Sequence, residues 1–257
     1  SRERYKTQDE ILSTVKTFRE KNIPLDNIVM DWQYWKLNEW GSQQFDTDRF
    51  SNPDSMIEVL HNKYHAKFMI AVWPKFYKGI SNFDLPYKQG FLLNKNADEN
   101  RKDWLGYVST FFDVHNPAAR KQFWELLKDN QYKKKIDAWW MDAPEPDVHS
   151  NISIAKRKDL FYPNAMGSAI KYFNSYPLLN SQGIYEGQRA MHDNKRVFIL
   201  TRSGFAGIQR YGSAVWSGDI GSTWAEMKDQ VAAGVNFSMS GIPFWTFDVG
   251  GFAVENR

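Results

Sequence analysis

Four aspartates and one arginine carry the chemistry that this sequence can offer. Asp31 closes the apolar run from Asn27 to Met30, Asp142 closes IDAWWM, Asp219 stands in WSGD, Asp248 follows the short run from Gly241, and Arg202 ends RVFILTR. A carboxylate at the mouth of an apolar strand must be hydrogen-bonded, paired or used. For one such residue a turn cap is the default reading. Several of them beside an arginine allow two further chemistries, metal-assisted catalysis or a carboxylate pair acting on a sugar. A metal asks for His and carboxylate ligands in close array. His61, His65, His115, His149 and His192 fall on helical or loop segments away from the strand ends. His61 and His65 could share a helical face but have no evident third ligand, and they are expected to decorate the surface. Hydrolysis of a glycosidic bond instead needs two carboxyls with different protonation states on the two sides of one bond. Asp142 and Asp219, on different strand ends, suit two walls of one pocket. Arg202 is expected to keep a neighbouring carboxylate ionised, and Trp216 to supply the apolar surroundings that raise the pKa of Asp219.

The elements that must position these groups are legible in order. Within the central stretch Ile136, Ala138, Trp140 and Asp142 share one strand face, while Trp139 and Met141 share the other, because side chains alternate with period two. Asp142 therefore points where Trp140 points. Pro144 and Pro146 stop the strand and hold Glu145 and Asp147 on a stiff loop. Upstream, Thr7-Gln8-Asp9-Glu10 reads as a capping box, and Ile11, Leu12, Val15 and Phe18 follow at helical spacing until Asn22 and Pro24. A strand leads from Asn27 to Asp31, followed by the aromatic cluster Trp32, Tyr34 and Trp35. Ser51-Asn52-Pro53 opens a helix with Met56, Ile57 and Leu60 inward, and the strand Phe68 to Trp73 closes at Pro74. Lys75 to Phe112 lacks sustained periodicity and reads as an elaborated loop on the functional face. Asn116-Pro117 opens a helix with Phe123, Leu126 and Leu127 inward.

Beyond Asp142, helices are expected around 165–176 and 178–191, then a strand from Arg196 to Arg202. Arg202 to Asp219 has no room for a full helix and carries Gly204, Gly207, Gly212 and Gly218, so it reads as an irregular, site-building segment. A helix over 223–237 with Trp224, Met227, Val231 and Val235 on one side precedes the last strand, Gly241 to Asp248. Helices alternating with short apolar strands argue for a parallel sheet. Functional groups at many strand C-termini are the layout of an α/β (β/α)8 TIM-type barrel, whereas an open doubly wound sheet would gather them at one switch point. About six strands are evident. The barrel is expected to be incomplete, its first strand partial at SRERY and its last strand missing after Arg257.

Composition narrows the partners. At 257 residues and 42% hydrophobic the chain can bury a large core as one domain, 1–257, and its abrupt start at SRERY and end after GGFAVENR lead us to expect an excerpt of a larger, multidomain protein. The net charge of +3 is spread over the chain and argues against a nucleic-acid stripe. No run reaches the length of a membrane span, so no membrane insertion is expected. The 11 Trp, 12 Tyr and 18 Phe exceed what core packing asks for and suit sugar-binding platforms. Cysteine is absent, which excludes disulfides and thiolate chemistry and leaves the compartment open. A bacterial periplasmic or secreted setting is favoured. Asn151-Ile-Ser153 and Asn236-Phe-Ser238 form sequons that matter only in a eukaryotic secretory route.

Three blocks, WWMDAPEP at 139–146, TRSGFAGIQRYGSAVWSGD at 201–219 and SGIPFWTFDVGGF at 240–252, resemble the signature blocks of glycoside hydrolase family 31 in that family's order and spacing. The resemblance extends over nearly all of the chain. It implies a retaining α-glycosidase on a (β/α)8 barrel with no metal or organic cofactor, acting on an oligosaccharide, with flanking domains on the same polypeptide. It places the nucleophile on Asp142 and the general acid/base on Asp219, and it lines the cleaved-sugar subsite with Asp31, Trp73, Trp104, Arg202, Trp216, Asp248 and Phe252. Ala143-Pro144 stands where Met-Asn is frequent, and the sugar-binding histidine expected after the last strand is absent, so activity of this excerpt alone is not expected. DWQYW at 31–35, WPKFY at 73–77 and SRERYK look most like the α-xylosidase branch acting on xyloglucan side chains. Bulky tryptophans near the hydroxymethyl position would favour a pentose over glucose. An α-glucosidase, a transglycosylase or an α-glucan lyase would share the covalent intermediate, and a non-catalytic carbohydrate-binding relative is the alternative of another class.

Overall fold

A computed structural model describes residues 4–146, 153–162, 164–192 and 194–253. Asp147, His149 and the sequon at Asn151 lie outside the described residues, as do both chain ends. The elements run α1 (Gln8–Glu20), β1 (Asn27–Met30), α2 (Pro53–Asn62), β2 (Lys67–Val72), β3 (Lys75–Tyr77), α3 (Asp84–Lys88), α4 (Asn94–Asp98), β4 (Ser109–Phe111), α5 (Pro117–Asn130) and β5 (Ala138–Met141). They continue with α6 (Ile154–Leu160), α7 (Ala169–Tyr172), α8 (Tyr176–Arg189), β6 (Ile199–Thr201), β7 (Ser213–Trp216), α9 (Trp224–Met239) and β8 (Trp245–Thr246).

Six strands pair in parallel in the order β1-β2-β5-β6-β7-β8. Because that order never reverses, there is no switch point of the doubly wound kind, and the sheet is the wall of an incomplete (β/α)8 barrel. Asp31, Trp73, Asp142, Arg202, Trp216 and Asp248 all stand just past or at the C-terminal ends of its strands. Arg4 to Lys6, the described part of SRERYK, form no strand.

The helix starts follow their caps. The Thr7 hydroxyl accepts from the Glu10 N–H at 3.3 Å, but the Glu10 carboxylate reaches one residue past the cap and accepts from the Lys6 N–H at 2.6 Å, so the capping box is half-formed. Asn52 caps α2 by accepting from the Ser55 N–H, and Asn116 caps α5 by accepting from the Ala118 N–H. Both helices place Pro in the first turn, where its missing N–H costs nothing. Met56, Ile57, Leu60, Phe123 and Leu127 are buried, joining a core that runs from Ile11 to Ile199.

Three segments differ from the sequence reading. Residues 75–112 are more than a loop: β3 and β4 pair as an antiparallel ribbon, with α3 and α4 between them. Helix α7 starts at Ala169 and not near 165, because the Asn164 side chain accepts from the Met166 N–H and Gly167 adopts φ +98°, a local turn that competes with helix. The segment from Arg202 to Asp219 contains β7, reached from β6 through a single helical turn at Ile208–Tyr211 with no crossover helix.

Helix α9 shows a further difference. Gly234 is its one buried residue, and a Cβ there would meet Trp245 at 2.4 Å, so glycine lets the helix lie close on β8. Trp224, Met227, Val231 and Val235 do line up on one side, yet that side is exposed among the described residues. Among those residues no helix is long and apolar enough to cross a membrane.

Candidate active site

Strand β5 presents two tryptophans in opposite directions. The Trp139 indole N–H donates to Gln188 on α8 at 2.9 Å and its ring packs edge-on against Trp124 of α5, so this face meets the helical layer. Trp140 faces the other way, into a cavity of about 260 Å³ that it shares with Asp142. Asp142 is 8% exposed, and its backbone N–H donates to the Val72 carbonyl at 3.1 Å, continuing the β2–β5 ladder by one step. Ala143 then turns the chain at φ +52° with its methyl fully buried, and its N–H donates to Asp142 Oδ1 at 2.8 Å. An alanine in the left-handed region is costly, and here it aims the carboxylate.

Strand β6 delivers Arg202. Its N–H donates to the Met141 carbonyl at 3.1 Å, which sets its guanidinium beside Asp142. Nη1 lies 3.1 Å from Asp142 Oδ1 and 3.7 Å from Asp219 Oδ2, while Nε lies 2.7 Å from Glu145 Oε1. The three carboxylates outweigh the penalty of burial and hold the guanidinium more firmly charged than usual. Gly218 adopts φ +82°, where a Cβ would stand 3.3 Å from the Arg202 stem, and this close turn carries the chain from β7 to Asp219.

At Asp142 the electrostatics depart from the sequence expectation. Burial pushes the Asp142 carboxyl up to about 7, against the opposing pull of Arg202 and with the help of Glu145, Asp31 and Asp219. The apolar enclosure expected around Asp219 surrounds Asp142 instead: Trp216 packs on Trp140 at 5.7 Å, whereas the Asp219 side chain is 51% exposed. Burial also raises Asp31, opposed by the Trp32 N–H and Arg4. It raises Asp248 as well, with Asp219 adding a like charge.

One side of the cavity is aromatic. Trp73 is buried at its wall and Trp104 is 47% exposed at its mouth. Trp40 lies behind both, 4.7 Å from Trp73 and 5.5 Å from Trp104 edge-on, and stacks on Trp32 at 4.8 Å. The opposite side is closed by Asp248 and Phe252, the latter pinned by its N–H donating to the Ile220 carbonyl. The structure thus brings Asp31, Trp73, Trp104, Asp142, Arg202, Trp216, Asp219, Asp248 and Phe252 to one cavity.

Three lining residues were not among the sequence candidates. Trp140 was readable from its period-two match with Asp142, and Trp32 from its place after Asp31. Arg4, whose guanidinium lies 4.4 Å over the Trp32 ring, gave no signal. Among the described residues no group of three or more His, Asp or Glu could hold a metal ion. His61 is not surface decoration, since its Nε2 sits 2.6 Å from Asp137 Oδ2, and His115 is buried against Ser175.

A parallel barrel wall with carboxylates gathered at its strand ends is the architecture of a TIM-barrel enzyme domain. The chain belongs to glycosyl hydrolases family 31, whose TIM-barrel domain matches residues 1–257. It is 43% identical to an alpha-xylosidase of Saccharolobus solfataricus, over 100% of this chain and 33% of that protein. It is 32% identical to alpha-glucosidase 2 of Bacillus thermoamyloliquefaciens, over 98% and 32%. Among solved structures, a GH31 alpha-xylosidase from Xanthomonas citri superposes with TM-score 0.95 at 50% identity, covering 99% of this chain and 28% of that one. A soil-metagenome GH31 alpha-xylosidase complexed with xylose gives 0.86 at 32% identity, covering 97% and 36%. The chain therefore spans about a third of the length of these relatives.

Proposed function

We propose that the protein is a retaining α-glycosidase that removes terminal non-reducing α-xylosyl residues from xyloglucan-type oligosaccharides, and that residues 1–257 are the catalytic barrel of a larger multidomain enzyme. The observation that carries this reading is that one nitrogen, Arg202 Nη1, reaches both Asp142 and Asp219. Those two contacts put a ceiling of about 7 Å on the separation of the carboxylate oxygens, which admits the roughly 5–5.5 Å of a retaining pair.

In the first step the ionised Asp142 attacks the anomeric carbon. A carbon–oxygen bond forms to the carboxylate as the glycosidic bond breaks, and Asp219 gives its proton to the leaving oxygen. In the second step water attacks the same carbon, Asp219 takes the water's proton, and Asp142 leaves. Arg202 favours the ionised form of Asp142 before attack and again when it departs. Asp31, buried at the closed end, and Asp248, across from it, are placed to accept hydrogen bonds from sugar hydroxyls.

Support for xylose comes from the tryptophans of the cavity wall, bulky rings that would disfavour a hydroxymethyl group beside them, and from relatives at 43% and 50% identity named alpha-xylosidases. An α-glucosidase is the second reading, supported by the relative of that name at 32% identity. Turnover of p-nitrophenyl α-xyloside and α-glucoside by the full-length protein, with Asp142→Ala as control, tests both. Equal turnover by mutant and parent would sink the catalytic reading, and preference for the glucoside would sink the xylosidase reading.

A further inference from the structure

The most exposed tryptophan of the cavity rests on the most buried lysine of the chain. Lys75 is 0% exposed, and its ammonium donates to Asp103 Oδ2 at 2.5 Å, itself a buried carboxylate. The Tyr77 hydroxyl donates to the same oxygen at 2.6 Å. The other oxygen, Asp103 Oδ1, accepts from the Leu105 N–H at 2.9 Å and the Tyr107 N–H at 3.2 Å, and the Asp103 N–H donates to the Tyr107 carbonyl. Three of these contacts close residues 103–107 into a turn and the other two anchor it to β3, and Trp104 is the side chain this turn presents.

The ammonium does a second thing. It sits 4.2 Å from the Trp104 ring and 4.1 Å from the Trp40 ring, a distance at which a desolvated cation is attracted to the ring face. Trp104 is thus fixed from behind by charge and at its base by the turn. Burying an ion pair is costly, and replacing one by apolar groups is often neutral or stabilising, so stability alone does not account for the pair.

We infer that Lys75 and Asp103 are a positioning pair that holds Trp104 as a stacking platform for the leaving-group sugar, the unit just beyond the scissile bond. The inference rests on the α-glycosidase reading. The unit being cleaved occupies the deep end, against Asp142, Trp73 and Trp140, whereas Trp104 keeps nearly half its surface open at the mouth through which the rest of the oligosaccharide must leave.

The test compares a xyloglucan oligosaccharide with α-xylosyl fluoride, which has no sugar past the scissile bond, in the full-length protein. Trp104→Ala is expected to raise KM for the oligosaccharide about tenfold, as loss of one aromatic stack would, and to raise the KM for the fluoride several-fold less. Lys75→Met/Asp103→Asn removes both charges but keeps an oxygen for the turn's N–H groups, and should show the same split. Combined with Trp104→Ala it should add nothing. An unchanged oligosaccharide KM in the charge-free variant, an equal rise for the fluoride, or independent losses in the triple variant would each overturn the pairing. If the charge-free variant does not fold, Tyr77→Phe takes its place, with an expected rise of about threefold and an unchanged KM as the refuting result. Dissociation constants measured in an Asp142→Ala background separate this inference from the reaction. A parent that binds oligosaccharide without turning over either substrate loses only the hydrolytic reading, and the same variants then decide the pair by Kd. A parent that binds none overturns both.

Discussion

Arg202 Nη1 stands 3.1 Å from Asp142 Oδ1, and the carboxyl of Asp142 is nevertheless pushed up to about 7. The guanidinium serves three carboxylates at once, so no single one receives its full charge, and burial wins at the one most enclosed.

A pH profile follows from that balance. In the proposed mechanism Asp142 must be ionised to attack, so kcat/KM should fall as pH drops through about 7, an acid limb well above the ordinary carboxylate range. The rate of hydrolysis of an aryl α-xyloside from pH 4 to 9 checks this. A limb below pH 5 would contradict it.

The same shift bears on stability, with the opposite sense from a salt-bridged acid. Between about pH 4 and 7 the folded state keeps the Asp142 proton that the unfolded state has lost, so stability declines as pH rises through that window. Asp142→Asn removes the cost and should stabilise the protein by roughly 2–4 kcal/mol at pH 8, with little effect at pH 4. Thermal melts at the two pH values measure the difference.

Arg202→Met should lower kcat/KM by about 10²–10³-fold, as loss of one preorganised electrostatic partner does elsewhere. With the opposing charge gone, the acid limb should also move to higher pH. Arg202→Lys should recover part of the rate without restoring the profile, because a point charge cannot reach three carboxylates from one planar fork. Steady-state kinetics against pH on both variants check this.

At the far end of the barrel, Asp137 is partly buried and gathers His61 at 2.6 Å, Lys195 at 3.0 Å and the Phe68 N–H at 2.9 Å. Burial acts to raise its pKa, and these partners outweigh it and hold it below the usual range. Its contribution is present above the unfolded carboxylate pKa and is lost as pH falls through the folded value. Asp137→Asn should cost about 1–3 kcal/mol near neutrality and leave kcat unchanged, as seen by denaturant titration beside an activity assay.

Gly187 lies inside α8, where alanine would ordinarily gain up to about 1 kcal/mol. A Cβ there would stand 2.3 Å from the Trp124 ring, so the clash decides the sign. Gly187→Ala should destabilise by about 1–3 kcal/mol and lower the melting temperature.

The barrel and most of its site were legible because each depends on local pattern. Asp31, Asp142 and Asp248 announce themselves as carboxylates ending apolar runs, and Trp140 shares the face of Asp142 by alternation alone. Strand β7 was not legible, since its four residues sit among glycines with no helix before them to mark a crossover. Lys75 and Asp103 fall in the stretch read as an elaborated loop, and only the folding of β3 onto β4 and the turn after Arg101 brings them together. The raised carboxyl of Asp142 was not legible for a related reason. Trp216 is near Asp219 in sequence, but burial is a property of all the strands that converge on Asp142.

The uninterrupted strand order has a kinetic meaning. Each barrel strand docks on the strand laid down before it, apart from the β3–β4 ribbon that is set aside, so the wall can grow in the direction of synthesis without waiting for a distant partner. The cavity cannot grow that way. Its contributors run from Arg4 to Phe252, and Asp219 and Asp248 arrive only with the last two strands. A nascent chain ending just past Arg202 would carry four of the six described wall strands and Asp142 beside Arg202, yet not Asp219, the carboxyl proposed to exchange the proton.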